Sequence, residues 1–150
     1  MKKILFLLFV TVGIAASTQA QMVYRDEYKK NLDEQYASGV FKGTSNSYML
    51  VPQDDPSSLA SFTVFQYLQG RVAGLIIDNT RLYAPVVRWR MAHTAFFLDE
   101  MRVDASILAT VNMNDIGLIK VFRPPFIGAI GNGPGGAIAV YTLRGEDEEE

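Results

Sequence analysis

The junction between residues 131 and 142, "GNGPGGAIAVYT", constrains the fold more than any other stretch. Gly131, Gly133 and Gly136 match the G-x-G-x-x-G spacing that lets a backbone cradle a pyrophosphate. That chemistry needs a strand before the glycines and a helix after them, because the helix N-terminus holds the phosphates. Here the glycines run straight into Ala137–Leu143, a run of β type, and Pro134 removes one amide N–H that a phosphate would use. The expectation is a conformational role instead. Glycines that tolerate positive φ turn the chain tightly and deliver a last strand into a sheet at close quarters.

The N-terminus sets the expected compartment. Lys2 and Lys3 precede an uncharged, mostly apolar stretch from Ile4 to Ala16, and Thr18 and Ala20 are small residues at a plausible cleavage point. This is the layout of a secretory signal peptide, and a membrane span would need about 20 apolar residues. The expected organisation is a signal peptide at 1–20, a lead-in at 21–56, a domain at 57–145 and an acidic tail at 146–150. The expected location is exported, in the periplasm or associated with the outer membrane. The chain has no cysteine, so disulfides, thiolate catalysis and cysteine metal sites are excluded, and stability must come from an ordinary core. With 49% hydrophobic residues the composition allows one. Net charge is −2, and five acids sit in the tail "EDEEE". Without that tail and the two lysines of the N-terminal segment the body carries a net charge of +1, and it has no basic patch of the kind nucleic acid requires.

Periodicity places the elements. Phe65, Leu68 and Val72 recur at helical spacing within "SLASFTVFQYLQGRVAG", with Ser58 or Ser61 as cap and Gly74 as stop. "LIID" is a short apolar strand. "PVVRWRM" alternates, with Val87, Trp89 and Met91 on one side and Arg88 and Arg90 on the other. "AFFLDEMRV" reads as strand, turn and strand around Asp99 and Glu100. "DASILATVNMND" fits a short helix capped by Asp104 or Ser106, with Ile107, Leu108 and Val111 inward. "IGLIKVFR" is a strand with Ile119 and Val121 on one face and Lys120 on the other. In the lead-in, "YRDEYKKNLDEQY" reads as a short polar helix and Tyr48–Val51 as a brief strand. The mixture predicts an α+β fold: a small mixed β-sheet with two packed helices.

Catalytic, cofactor-binding and metal sites are all read as none. His93 is the single histidine, and nothing near it in sequence has the spacing of a nucleophile or orienting carboxylate. Asp99 and Glu100 are neighbours at a hairpin tip, whereas glycosidase pairs come from separate walls of a cleft. Asp54, Asp55, Asn112, Asn114 and Asp115 read as caps and Asx turns.

Four phrases in order resemble the plug domain of TonB-dependent outer-membrane receptors. Leu68, Gly70, Arg71, Val72, Ala73, Gly74 and Leu75 carry "L-x-G-R-V-A-G-L". Leu98, Asp99 and Glu100 stand at the "V-D-G" hairpin. Asn112, Asp115, Ile116, Ile119 and Val121 carry "N-x-x-D-I-x-x-I-x-V". Ile130, Gly131, Gly133, Gly135, Gly136, Ile138, Val140 and Thr142 carry the closing glycine phrase. The resemblance spans Ser57 to Gly145. Glu100 replaces the usual glycine and Ile130 the usual tyrosine, and no barrel strands follow Leu143. It implies a plug-like fold, an envelope location and a non-enzymatic binding or interaction module whose partner is an outer-membrane barrel or another envelope protein. Two alternatives are a truncated receptor fragment whose barrel is missing and a small secreted enzyme using His93.

Overall fold

The computed structural model describes residues 25–43, 46–81, 85–126 and 134–144. The signal-peptide and acidic-tail readings, and the positions Ile130, Gly131 and Gly133, lie outside them.

The chain is an α+β unit built on one mixed sheet. Its strands are β1 (Ser47–Leu50), β5 (Ala95–Leu98), β6 (Met101–Val103), β7 (Ile116–Phe122) and β8 (Ala137–Thr142), in the order β1-β7-β8-β5-β6. β5 and β8 run parallel, with Ala95 opposite Ala137; the other pairs are antiparallel. A second antiparallel sheet holds β2 (Leu75–Asp78), β3 (Val86–Trp89) and β4 (Ala92–His93). The helices are α1 (residues 25–36), α2 (Val64–Leu68) and α3 (Ala105–Thr110).

β7 and β8 are covered on both faces, which is why they read as near-continuous apolar runs. Alternation sends their residues to two cores. Ile119, Val121, Ile138 and Val140 join Phe65, Leu68 and Leu108 beneath α2 and α3. Leu118, Phe122, Ala139 and Tyr141 join Tyr36, Phe41 and Phe97 on the α1 side. There the rings of Phe41, Phe97, Phe122 and Phe126 pack with centroids 4.9 to 6.0 Å apart. The lead-in region therefore supplies a helix, an edge strand and part of a core. Lys29, Leu32, Asp33 and Tyr36 form the inward stripe of α1.

Lys120 shares the second face and is fully buried. Its ammonium forms an ion pair with Asp33 and donates to the carbonyls of Phe41 at 2.6 Å and Gly43 at 3.1 Å. All three of its protons are thus accounted for. The other Asp33 oxygen accepts from the Gly43 N–H at 2.6 Å.

Several local expectations change. The cap of α2 is Thr63, whose hydroxyl accepts from the Gln66 N–H at 3.2 Å, rather than Ser58 or Ser61. The helix closes before Gly70 at φ 79°, so Gly74 does not end it. Gly74 at φ 83° instead turns the chain into β2, where a Cβ would sit 2.9 Å from the Trp89 indole nitrogen. Met91 leaves the strand after Arg90 takes φ 56°, and it is 93% exposed. Ile107 is 44% exposed, because α3 is short and only Leu108 is fully covered.

Candidate interaction surface

The four sequence phrases occupy joints of the fold. Arg71 is the hub of the first. It pairs with Asp55 at 3.3 Å, donates to the Tyr67 carbonyl at 2.5 Å and to the Ser57 hydroxyl, and lies 4.2 Å from the Tyr67 ring centre. This ties the 3-10 turn at Pro56–Ala60 to α2. The Ser57 hydroxyl, then the Ser57 N–H, hold Asp55 below the usual carboxylate range. Burial, and secondly the Asp55 carboxylate, push the Tyr67 phenol up to about 12. The Tyr141 phenol moves the same way, through burial first and then Glu100.

Both phenols are thus kept neutral by folding, while an unfolded tyrosine ionises near pH 10. Stability from these groups is complete below that value and is lost as pH rises through 10 toward 12. The urea midpoint is expected to fall between about pH 9 and about pH 11.5. In Tyr67→Phe the fall is expected to be smaller. A midpoint that stays level across this range would refute the coupling.

In the second phrase, Asp99 and Glu100 form the β5–β6 turn at φ 46° and 68°. Both carboxylates are committed to backbone and hydroxyl donors. Asp99 accepts from the Thr142 N–H and hydroxyl, each at 2.9 Å. Glu100 accepts from the Ser38 N–H at 2.5 Å and from the Ser38 hydroxyl. A non-glycine at positive φ costs about 1 kcal/mol, and the Ser38 contacts offset that cost. Through Ser38, just past α1, Glu100 fastens that end of the helix to the hairpin. Glu100→Ala keeps the strain and loses both contacts, so a loss of about 2 kcal/mol is expected. Glu100→Gly also loses the contacts but relieves the strain, so its loss is about 1 kcal/mol. Urea denaturation checks the order wild type, glycine, alanine; reversal of the two variants would rule the account out.

The third phrase is a turn. Asn112 accepts from the Asn114 N–H at 3.0 Å, and the Asp115 carbonyl receives the Leu143 N–H at 2.8 Å. The fourth places Gly135 and Gly136 against backbone. A Cβ on Gly135 would meet the carbonyl of Ala92 and, at 2.6 Å, that of His93. Gly136 sits at φ 79° against the Phe122 carbonyl. β8 follows directly, and no helix opens after these glycines.

The residues weighed for catalysis do not converge. His93 is exposed on β4 with Arg88 as its register partner. Asp99 and Glu100 lie at the far end of β5 from it. Among the described residues no group of three or more His, Asp or Glu is placed to hold a metal ion. No described helix is long and apolar enough to cross a membrane.

What remains available is surface that sequence periodicity did not mark. Phe62 is 88% exposed and Leu59 79%, on the strap leading into α2. Phe62 borders a groove of about 460 Å³ between α2, the end of β2 and α3. Its apolar walls are Phe62, Pro85 and Ala109, and its polar groups include the carboxamides of Gln66, Gln69 and Asn79. The sequence signal that could have found it is an aromatic just ahead of the Thr63 cap, outside the inward stripe of α2. β6 is an edge of the five-stranded sheet, with Met101 67% exposed.

No family model matches the chain, and no curated protein sequence does. Solved structures do. The fold is similar to a part of the RagAB peptide importer in its open-open state, at TM-score 0.55 and 18% identity over 77% of this chain and 14% of that one. In the closed-closed state the values are 0.54 and 20%, over 72% and 13%. The ferric enterobactin receptor PfeA of Pseudomonas aeruginosa gives TM-score 0.51 and 16% identity, over 67% and 17%. The chain therefore spans well under a fifth of the solved chains it matches.

Proposed function

We propose that this chain is a non-enzymatic, plug-like interaction module of the Gram-negative cell envelope that works with TonB-dependent outer-membrane receptor systems. One observation carries the reading. The phrases that resemble the receptor plug fall on the joints of a fold similar to part of a peptide importer and of a ferric enterobactin receptor. Arg71 ties the strap to α2, Asp99 fastens the hairpin to β8, and Gly135 and Gly136 admit β8 beneath two carbonyl rows. A docked partner would use the surfaces those joints leave open, the β6 edge above all, through main-chain pairing.

Photo-crosslinking in envelope membranes tests this, with the crosslinker placed at Met101. A crosslinked β-barrel receptor, identified by mass spectrometry, is the expected product. A protein found wholly in the soluble periplasm with no crosslinked barrel would refute the proposal. In this reading His93 takes no part, so His93→Ala crosslinks as the wild type does; a hydrolase activity abolished by His93→Ala would overturn it.

A second reading, that the chain is the plug portion of a longer receptor, is favoured by the share of the solved chains that it spans. Barrel-type strands of about 9 to 11 alternating residues encoded downstream would establish it.

A further inference from the structure

We infer that the groove between α2, the end of β2 and α3 is a binding site for a small, uncharged, amide-bearing ligand of short-peptide size. The inference goes beyond the envelope reading and stands on the groove's own chemistry.

Its volume, about 460 Å³, lies within the range of small-molecule sites. Its lining combines apolar walls with a few polar groups, as such sites do. None of the described residues lining it is ionisable. Those described walls offer a charged ligand no counter-charge.

The carboxamides are already ordered by one another. Gln66 Oε1 accepts from the Phe62 N–H at 3.0 Å, and Gln69 Oε1 accepts from Asn79 Nδ2 at 3.2 Å. Those bonds use one lone pair on each glutamine oxygen. They leave the NH2 groups of Gln66 and Gln69 as donors and the Asn79 Oδ1 as an acceptor. Donors beside an acceptor complement a carbonyl beside an N–H, which is the edge of a peptide group. Phe62, Pro85 and Ala109 supply an apolar wall for a side chain next to that edge. Phe62 loses most by standing open to water, since an aromatic ring is among the largest apolar surfaces a residue can present.

The test titrates isotopically labelled protein with the blocked tripeptide acetyl-Ala-Leu-Ala-amide and follows the side-chain amide resonances of Gln66, Gln69 and Asn79 by NMR. Parallel arms use acetyl-Ala-Asp-Ala-amide and maltotriose. Saturable shifts at millimolar leucine peptide are expected, with about tenfold weaker binding of the aspartate peptide. Binding in Asn79→Ala and in Phe62→Ala is expected to weaken by about tenfold. Both positions are exposed, and unchanged backbone spectra check that each variant is folded. The inference is overturned if the leucine peptide gives no saturable shift, if the folded variants bind it as the wild type does, or if maltotriose or the aspartate peptide binds as tightly.

Discussion

Asp33→Ala is expected to cost about 3 to 5 kcal/mol. The reason is what it leaves behind. Lys120 has no solvent exposure, and Asp33 is its only salt-bridge partner among the described residues. Without it, a buried ammonium keeps two carbonyl acceptors and loses its counter-charge, and the Gly43 N–H loses its acceptor as well. Alanine raises the helix propensity of α1 by a few tenths of a kcal/mol, which is too little to compensate. A domain of this size has about 5 to 15 kcal/mol in total, so the variant is expected to approach the edge of folding. Thermal and urea denaturation measure the loss. The double replacement Asp33→Leu with Lys120→Met removes both charges together, and it is expected to recover most of the stability. A single-variant loss below about 1 kcal/mol, or a double variant no better than the single, would contradict this.

Gly135→Ala is expected to cost about 3 kcal/mol. Gly135 is held on both sides: its N–H donates to the His93 carbonyl at 3.1 Å, and its carbonyl accepts from the Thr94 hydroxyl at 3.0 Å. The added Cβ would enter the space of the Ala92 and His93 carbonyls, which are backbone and cannot rotate away. Relief requires β4 and the entry to β8 to part, which breaks both bonds. Gly70→Ala is the control. Gly70 has positive φ but nothing within 4 Å of an added Cβ, so only the backbone term of about 1 to 2 kcal/mol applies. If the two variants lose equal stability by urea denaturation, contact with the β4 carbonyls is not what position 135 responds to.

How much of this was legible beforehand divides along physical lines. Strands came through because alternation and apolar runs are local: "LIID", "IGLIKVF" and "AIAVYT" each form the expected strand. The α+β class followed from their mixture with helices. Helix limits were less legible, since Thr63 and Ser61 are both competent caps and packing chose between them. Lys120 was placed on the right face, but alternation alone gives polar-out for a lysine opposite Ile119 and Val121. Its burial depends on Asp33, 87 residues away in the chain, and no periodicity reports that distance. The polar pattern of residues 25–36 hid an inward stripe for the same reason: the stripe includes a charge. At the candidate site, the role of Glu100 needed Ser38, and the groove needed Asn79 and Pro85 brought beside α2. The phrases are local in the chain; the joints they make and the open surfaces between them come from tertiary placement.

The central position of β8 has a kinetic corollary. The last described strand inserts between β5 and β7, and its parallel partner Ala95 lies 42 residues earlier than Ala137. The five-stranded sheet is therefore complete only once β8 joins the β1–β7 pair to the β5–β6 hairpin. Loop closure over long separations slows such topologies and extends the life of the open form.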